Sequence, residues 1–324
     1  MGRPKSVLVS GGCGFIGSHL VERLLADGHT VTVIDNLSTG RAENLPEHPR
    51  LQVINAGVGI GVYWQTTPEW VFHLAALADI VPSIERPEDY HRANVDGTLS
   101  VLQLARAAGC QRFIYAASSS CYGLATTFPT PEDAPIAPQY PYALTKWVGE
   151  QYALHWMQVY GLPVVSLRLF NVFGPRQRTA GTYGAVLGVF LAQRANREPL
   201  TIVGDGSQTR DFTYVTDVVD AMVKAAESDV TGVFNVGSGE THSVDALASL
   251  IGGNRIHIPK RPGEPDCTFA DTTKIQQALG WKPRVAFADG VRSMLERLED
   301  WTQAPVWTPE TIATATAEWH RRLA

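Results

Sequence analysis

Val7-Leu8-Val9-Ser10-Gly11-Gly12-Cys13-Gly14-Phe15-Ile16-Gly17 carries a short β-branched run into a glycine turn and then into an apolar pattern that reaches Ala26. Val7 to Val9 reads as a buried strand, and Ile16 to Ala26 as a helix closed by Gly28. Gly11, Gly14 and Gly17 have a G-x-x-G-x-x-G spacing at that strand-to-helix turn. A side chain at any of them would keep a pyrophosphate from the helix N-terminus, whose unpaired N–H groups bind anions. Glycines also serve tight strand–helix packing, so the surrounding sequence has to decide between the two readings.

Outward from the turn, Val31 to Ile34 forms the next strand and ends on Asp35, 18 residues past Gly17. A carboxylate at that place suits the two ribose hydroxyls of an adenosine and repels a 2′-phosphate, which selects NAD over NADP. Leu51 to Ile54, Val71 to Leu74, Arg112 to Tyr115 and Val164 to Leu167 are further strands, most of them separated by helical patterns. Such alternation predicts an α/β fold, a Rossmann-like doubly wound parallel sheet with helices on both faces. After Asn171 the pattern shortens and becomes rich in Pro and Gly, and Val233 to Val236 is one late strand able to return to the sheet. The expected division is a cofactor-binding domain over 1–170, to which 214–238 returns, and a smaller interleaved C-terminal lobe over 171–213 and 239–324. One stretch fits poorly. No acidic residue lies between Glu47 and Glu69, and Gly57, Gly59, Gly61 and Pro68 break a helix there. A crossover helix between the third and fourth strands, and an acidic partner for the adenine amino group, are therefore not expected.

Composition excludes other classes. The 324 residues are 44% hydrophobic and 18% charged, enough apolar material for a sizeable core and unlike a disordered chain. No apolar run reaches about 18 residues, so no membrane span is expected, and no signal peptide is read at the N-terminus. A net charge of −5 gives no footprint for nucleic acid. The four cysteines are scattered without a C-x-x-C pair, which fits reduced thiols in the cytoplasm and argues against a zinc site.

The chemistry centres on Tyr142-Ala143-Leu144-Thr145-Lys146 in a helical segment. Residues four apart share a helix face, so the ammonium can approach the phenol and the cofactor together. A free phenol titrates at about 10, and a nearby cation is expected to bring it down toward neutrality. Tyr and Lys at this spacing also occur by chance. Here Ala116-Ala117-Ser118-Ser119-Ser120-Cys121-Tyr122-Gly123 follows a strand just upstream, which places small hydroxyl residues at the crevice end of the sheet. His73, inside a buried strand, is read as a satisfied core histidine and not as a catalyst.

With these segments in order, the chain resembles the extended short-chain dehydrogenases/reductases, within them the nucleotide-sugar epimerases and dehydratases, and most of all the UDP-hexose 4-epimerases. The match includes Gly11 to His19, Asp35 to Gly40, His73 to Ala76, Pro82-Ser83-Ile84, Asn94 to Thr98, Arg168 to Gln177, Gly204 to Gly206, Arg210 to Val215 and Arg261 to Glu264. The resemblance implies NAD held by Gly11, Gly14, Phe15, Ile16, Gly17, Asp35, Asn36, Ser38, Thr39, Gly40, Leu74, Ala75, Ala76 and Asn94, with Tyr142 and Lys146 at the nicotinamide end. It implies Tyr142 as base on a sugar hydroxyl, Ser118 bonded to the same oxygen, and Lys146 on the nicotinamide ribose. For a UDP-sugar it implies Ser83, Ser118, Ser119, Ser120, Asn171 and Arg178, with Arg210 and Arg261 on the two phosphates. It also implies a homodimer through Leu99 to Ala108 and Lys146 to Tyr160, and no metal.

Two departures narrow the expected reaction. Dehydratases of this group carry Asp-Glu, and the related decarboxylases Glu, between the catalytic hydroxyl and the Tyr-Gly pair; here that stretch is Ser119-Ser120-Cys121. Without those acids, elimination loses its general acid/base pair, and C4 epimerisation through a transient 4-keto sugar is preferred. A small residue where some hexose 4-epimerases have Tyr, here Thr268 before Phe269-Ala270-Asp271, is expected to admit an N-acetyl group. UDP-N-acetylglucosamine is thus the expected substrate, with UDP-glucose beside it. Arg178 keeps a uronate 4-epimerase open, a dehydratase is a further alternative, and a nucleotide-binding pseudoenzyme is the non-catalytic one.

Overall fold

The computed structural model describes residues 3–59, 67–177 and 184–323. Its centre is a seven-stranded, wholly parallel sheet made of β1 (Ser6–Ser10), β2 (Thr30–Asp35), β3 (Leu51–Asn55), β4 (Trp70–His73), β5 (Arg112–Ser118), β6 (Val164–Leu169) and β7 (Gly232–Val236). The order across the sheet is β7-β6-β5-β4-β1-β2-β3. The chain therefore leaves β1 first toward β2 and later toward β4, and the crevice beyond the carboxyl ends of β1 and β4 is the topological switch point where ligands bind. The inner strands lie between two layers, which explains apolar runs such as Trp70-Val71-Phe72 in β4, while the edge strand β3 keeps Gln52 and Val53 exposed. Along β1, Val7 and Val9 point into one core and Leu8 into the other.

The core under Val7 and Val9 is closed by α1 (Phe15–Ala26), through Leu20, Val21 and Leu24, and on the opposite side Leu8 meets Leu102 of α2 (Gly97–Ala107) and Ala153 of α3 (Pro141–Tyr160). Helix α3 starts on Pro141 and stops at Gly161, whose φ of 68° is the left-handed end that glycine adopts without strain. Helix α4 (Val215–Glu227) packs beside α1 and delivers the chain to β7, which joins β6 in parallel. Between β3 and β4 the described residues 56–59 and 67–69 are without helix, and 60–66 lie outside the described residues.

The second lobe has its own core, with Leu191, Leu200, Ile202, Leu247 and Val291 buried in it. Short strand pairs frame it: Leu200–Val203 with Arg255–Ile258, Asn171–Phe173 with Phe212–Tyr214, and Thr209–Arg210 with His242–Ser243. Part of the C-terminal stretch assigned to this lobe packs elsewhere. Ile275 and Trp281 are buried in the α1 core of the first lobe. The Trp281 indole donates to the Asp217 carbonyl at 3.0 Å, while the Asp217 carboxylate accepts the N–H groups of Arg284 and Val285. A large indole with one polar atom goes where a deep apolar site and a carbonyl coincide, and the start of α4 supplies both.

Candidate active site

The glycine turn follows β1 directly. Gly11 takes a φ of +75°, and a Cβ there would stand 2.7 Å from the Ala75 nitrogen, so the turn and the loop after β4 touch backbone to backbone. At Gly17 a Cβ would collide with the Gly11 carbonyl. Gly14 caps α1 without any side-chain acceptor, which leaves the first N–H groups of the helix, at Phe15 and Ile16, for a ligand. Asp35, 8% exposed at the end of β2, accepts the Cys13 N–H at 3.0 Å and the Leu37 N–H at 2.9 Å. It thus fixes the turn while keeping lone pairs for ribose hydroxyls. Gly40 comes so close that a Cβ would lie 3.0 Å from that carboxylate. Asn36 accepts the Ser38 N–H at 3.1 Å, and Ser38 and Thr39 are exposed at the rim. Leu74 is tied to β1 through the Ser10 carbonyl, which sets the course of Ala75 and Ala76. A bare, anion-ready helix end with a carboxylate beside it fits an adenine dinucleotide.

Asn94 is held from inside the fold. It is 1% exposed and lies in a π-helical turn, Arg92–Asp96. Its amide clasps the backbone of Leu77 from both sides, at 2.8 and 3.0 Å, and donates to the Thr145 hydroxyl at 3.0 Å. Asn94 therefore fastens the loop after β4 to the catalytic helix. Ser83 is likewise buried, and its hydroxyl donates to the Ile80 carbonyl at 2.6 Å.

Tyr142, in the first turn of α3, faces Ser118 at the end of β5, whose hydroxyl favours its phenolate. The Ser118 and Ser120 hydroxyls are 2.8 Å apart, and Ser118 also accepts the Ser120 N–H, which caps a 3-10 turn over Ser119–Tyr122. Burial raises the Tyr142 phenol above its ordinary value, the Ser118 hydrogen bond opposes this, and the Asp79 carboxylate adds to it. In the protein alone burial thus outweighs the Ser118 hydrogen bond, and the lowering expected from Lys146 together with the nicotinamide ring belongs to the cofactor-bound site. The phenolate loses more hydration than its surroundings return. Lys146 is itself buried, and burial holds its ammonium down to about 7 against the pull of Glu150. Its Nζ rests 4.4 Å over the Tyr115 ring. His73 is a core residue with both nitrogens engaged, Ser10 at 2.6 Å and Thr98 at 2.9 Å, and burial pushes it down to about 3.

Arg210 and Arg261 converge on one carboxylate. Arg210 donates to Glu264 at 2.9 Å, and the Arg261 Nε stands 3.4 Å from the other Glu264 oxygen. Arg210 does not pair with its neighbour Asp211, whose carboxylate accepts from Ser238, Thr213 and Ala270. Two guanidiniums against one carboxylate leave a positive surplus suited to a diphosphate. A cavity of about 320 Å³, lined by Val203, Gly204, Gln208 and Glu264 among others, adjoins this pair. Thr268 meets Asn171, donating to its side-chain carbonyl at 2.8 Å. Arg178 lies outside the described residues.

Three participants are not singled out by the sequence. Glu264 stands in it only as the end of a motif, and nothing local signals that it joins the two arginines. Asp79 acts through its charge on the Tyr142 phenol because of the path of the loop after β4. Glu150, four residues beyond Lys146, repeats the helical spacing, which is the one signal able to reveal it. It lies 1% exposed against Arg168 at 2.7 Å.

Comparison with known proteins agrees with this geometry. The family model described as NAD dependent epimerase/dehydratase family matches residues 7–237. A UDP-glucose 4-epimerase of Mycolicibacterium smegmatis is 38% identical over 306 residues, 89% of this chain and 97% of its own length. A UDP-N-acetylglucosamine 4-epimerase of Methanobrevibacter ruminantium, solved with UDP-N-acetylmuramic acid, is 33% identical, with a TM-score of 0.85 over 91% of this chain and 100% of that one. A UDP-glucuronic acid 4-epimerase of Bacillus cereus, solved with UDP-glucuronic acid and NAD, is 30% identical, with a TM-score of 0.83 over 91% and 99%. Fold, cofactor cradle and relatives agree, and the chain belongs to the NAD dependent epimerase/dehydratase family.

Proposed function

We propose that the protein is a UDP-hexose 4-epimerase acting on UDP-N-acetylglucosamine and UDP-N-acetylgalactosamine, with UDP-glucose and UDP-galactose as a second pair. The observation that carries the reading is Ser119-Ser120-Cys121 beside the Ser118–Tyr142 pair, a stretch without a carboxylate. Cys121 cannot replace one, since burial pushes its thiol up to about 12. Tyr142 takes the proton of the sugar 4-hydroxyl, and Ser118 holds the same oxygen. Bound NAD supplies a reversible hydride acceptor for C4, unchanged at the end of the cycle. Arg210 and Arg261 keep the diphosphate in place while the 4-keto sugar turns its other face, so product and substrate share one anchor. The small side chain of Thr268, hydrogen-bonded to Asn171, supports the choice of a substrate with an N-acetyl group at C2.

A homodimer goes with this reading, since Leu144, Val159 and Tyr160 of α3 keep exposed apolar side chains. So does a cytoplasmic location, with the four cysteines free. Among the described residues no helix is long and apolar enough to cross a membrane. A UDP-glucuronate 4-epimerase is the second reading, favoured by Arg178.

Proton NMR of UDP-N-acetylglucosamine with the purified protein, with and without NAD, tests the proposal. A second anomeric signal from the galacto epimer is expected, and Tyr142→Phe is expected to lower its rate about 1,000-fold, the usual scale for removing a general base. A 5,6-alkene or 4-keto-6-deoxy product would instead identify a dehydratase. No new signal with this sugar, together with turnover of UDP-glucuronate, would transfer the assignment to the second reading.

A further inference from the structure

The C-terminal helix Ala317–Leu323 lies beyond the segment matched by the family model and packs against the helix Ile80–Glu85. Its Trp319 is 4% exposed. The indole N–H donates to the Pro262 carbonyl at 2.6 Å, in the loop that carries Arg261 and Glu264. The Arg261 guanidinium lies 5.5 Å from the indole centroid, within cation–π range. The indole also meets the Tyr140 ring at 6.2 Å, and Tyr140 lies parallel to Tyr142 at 6.4 Å. Leu323, four residues on, stands against Gly263 of the same loop. One side chain thus touches the loop backbone, the arginine it carries and the residue that caps the catalytic helix.

We propose that Trp319 is a positioning residue for the substrate diphosphate. This rests on the UDP-sugar reading above. An arginine on a loop brings rotamer freedom that phosphate binding has to remove. A ring fixed by its own hydrogen bond offers the guanidinium a flat seat and removes much of that freedom beforehand. The hydrogen bond to Pro262 sets where the loop stands, and the cation–π interaction sets where its arginine points. Trp319 itself touches neither the reacting carbon nor the cofactor cradle, so removing it acts on anchoring and not on proton transfer.

Calorimetric titration with UDP, independent of any sugar, tests this on the full chain as wild type, Trp319→Ala, Trp319→Phe, Arg261→Ala and the Ala/Ala double variant. Trp319→Ala is expected to weaken UDP about tenfold, the scale of one charge-assisted hydrogen bond between arginine and phosphate. Trp319→Phe, which keeps a ring but not the donor, should fall in between. With Arg261 already removed, Trp319→Ala should weaken UDP by less than about twofold more, because residues that act through one another are not additive. Turnover should divide the same way, KM rising and kcat staying within about twofold. Unchanged UDP affinity in both Trp319 variants, or full additivity with Arg261→Ala, would overturn the proposal while leaving the epimerase reading intact. A wild-type protein that binds no UDP would overturn both. If the alanine variant fails to fold, the phenylalanine variant carries the comparison.

Discussion

The Lys146 ammonium lies 4.4 Å from the centroid of the Tyr115 ring, and the Tyr115 hydroxyl donates to the Lys146 carbonyl at 3.1 Å. Gly149 makes room for that hydroxyl, since a Cβ there would overlap it. A buried ammonium on an aromatic face is a costly arrangement, and burial holds Lys146 down to about 7 from 10.5. Between those two pH values the unfolded chain binds the proton that the folded chain has released. Stability from this residue therefore rises as pH climbs from about 7 toward 10.5. Lys146→Met keeps the length of the side chain and removes the penalty. It is expected to abolish turnover, raise the melting temperature by a few degrees at pH 6–7 and flatten the rise above it. A melting temperature that falls at every pH would mean that the cation–π interaction and Glu150 outweigh desolvation.

Retention of NAD depends on the short segment after β3. The described part of it brings Ala56 onto the Asp35 carbonyl and Val58 close to Gly97, with no carboxylate from 56 to 59 or at 67 and 68. On the proposed reading, Asp35 would hold the adenosine ribose without acidic help at the adenine amino group. Protein denatured directly after purification should then release less than one NAD per chain, and added NAD should raise the rate. Stoichiometric release with no stimulation would show that the remaining interactions suffice.

How much is legible in the sequence follows from which interactions are local. The strand–glycine–helix turn is written in consecutive residues, and Asp35 follows at the end of the next strand, so the sheet and the cofactor end can be read together. Tyr142 and Lys146 share a helix face by spacing alone. What the sequence does not encode is that the Asn94 amide bonds Leu77, 17 residues before it, and Thr145, 51 after it. The burial that raises the Tyr142 phenol in the protein alone escapes a local reading for a related reason, since burial is a property of the whole site. Glu264 meets Arg210 across 54 residues, a pairing no periodicity encodes.

Glu150 of α3 and Arg168 of β6 form a buried ion pair between the helix and the sheet. Arg168 reaches the carboxylate at 2.7 Å and also the Tyr122 hydroxyl at 2.8 Å, and Ser166 donates to the second oxygen of Glu150 at 2.9 Å. Glu150→Gln leaves the arginine without its counter-charge in a dry site. Breaking such a pair from one side typically costs about 3–5 kcal/mol, against a total stability of roughly 5–15 kcal/mol. Chemical denaturation should show a loss on that scale, with substrate affinity little changed in whatever protein stays folded. A loss below about 1 kcal/mol would place the pair in the class of weak surface bridges.

Thr268 holds the Asn171 side chain by one hydrogen bond at 2.8 Å and receives the Asp211 N–H at 3.2 Å with the same oxygen. A tyrosine here cannot reproduce that short double bridge, and its ring has to turn toward Asn171, where the sugar is proposed to lie. Thr268→Tyr should therefore penalise the bulkier substrate selectively. The ratio of kcat/KM for UDP-N-acetylglucosamine over UDP-glucose is expected to fall at least about tenfold, because an added ring excludes a bulky group more effectively than a missing methylene discriminates one. UDP affinity measured in parallel separates a blocked sugar site from a disturbed phosphate site. An equal loss on both sugars, with UDP binding retained, would remove Thr268 as the gate and leave Asn171 as the residue through which the substitution acts.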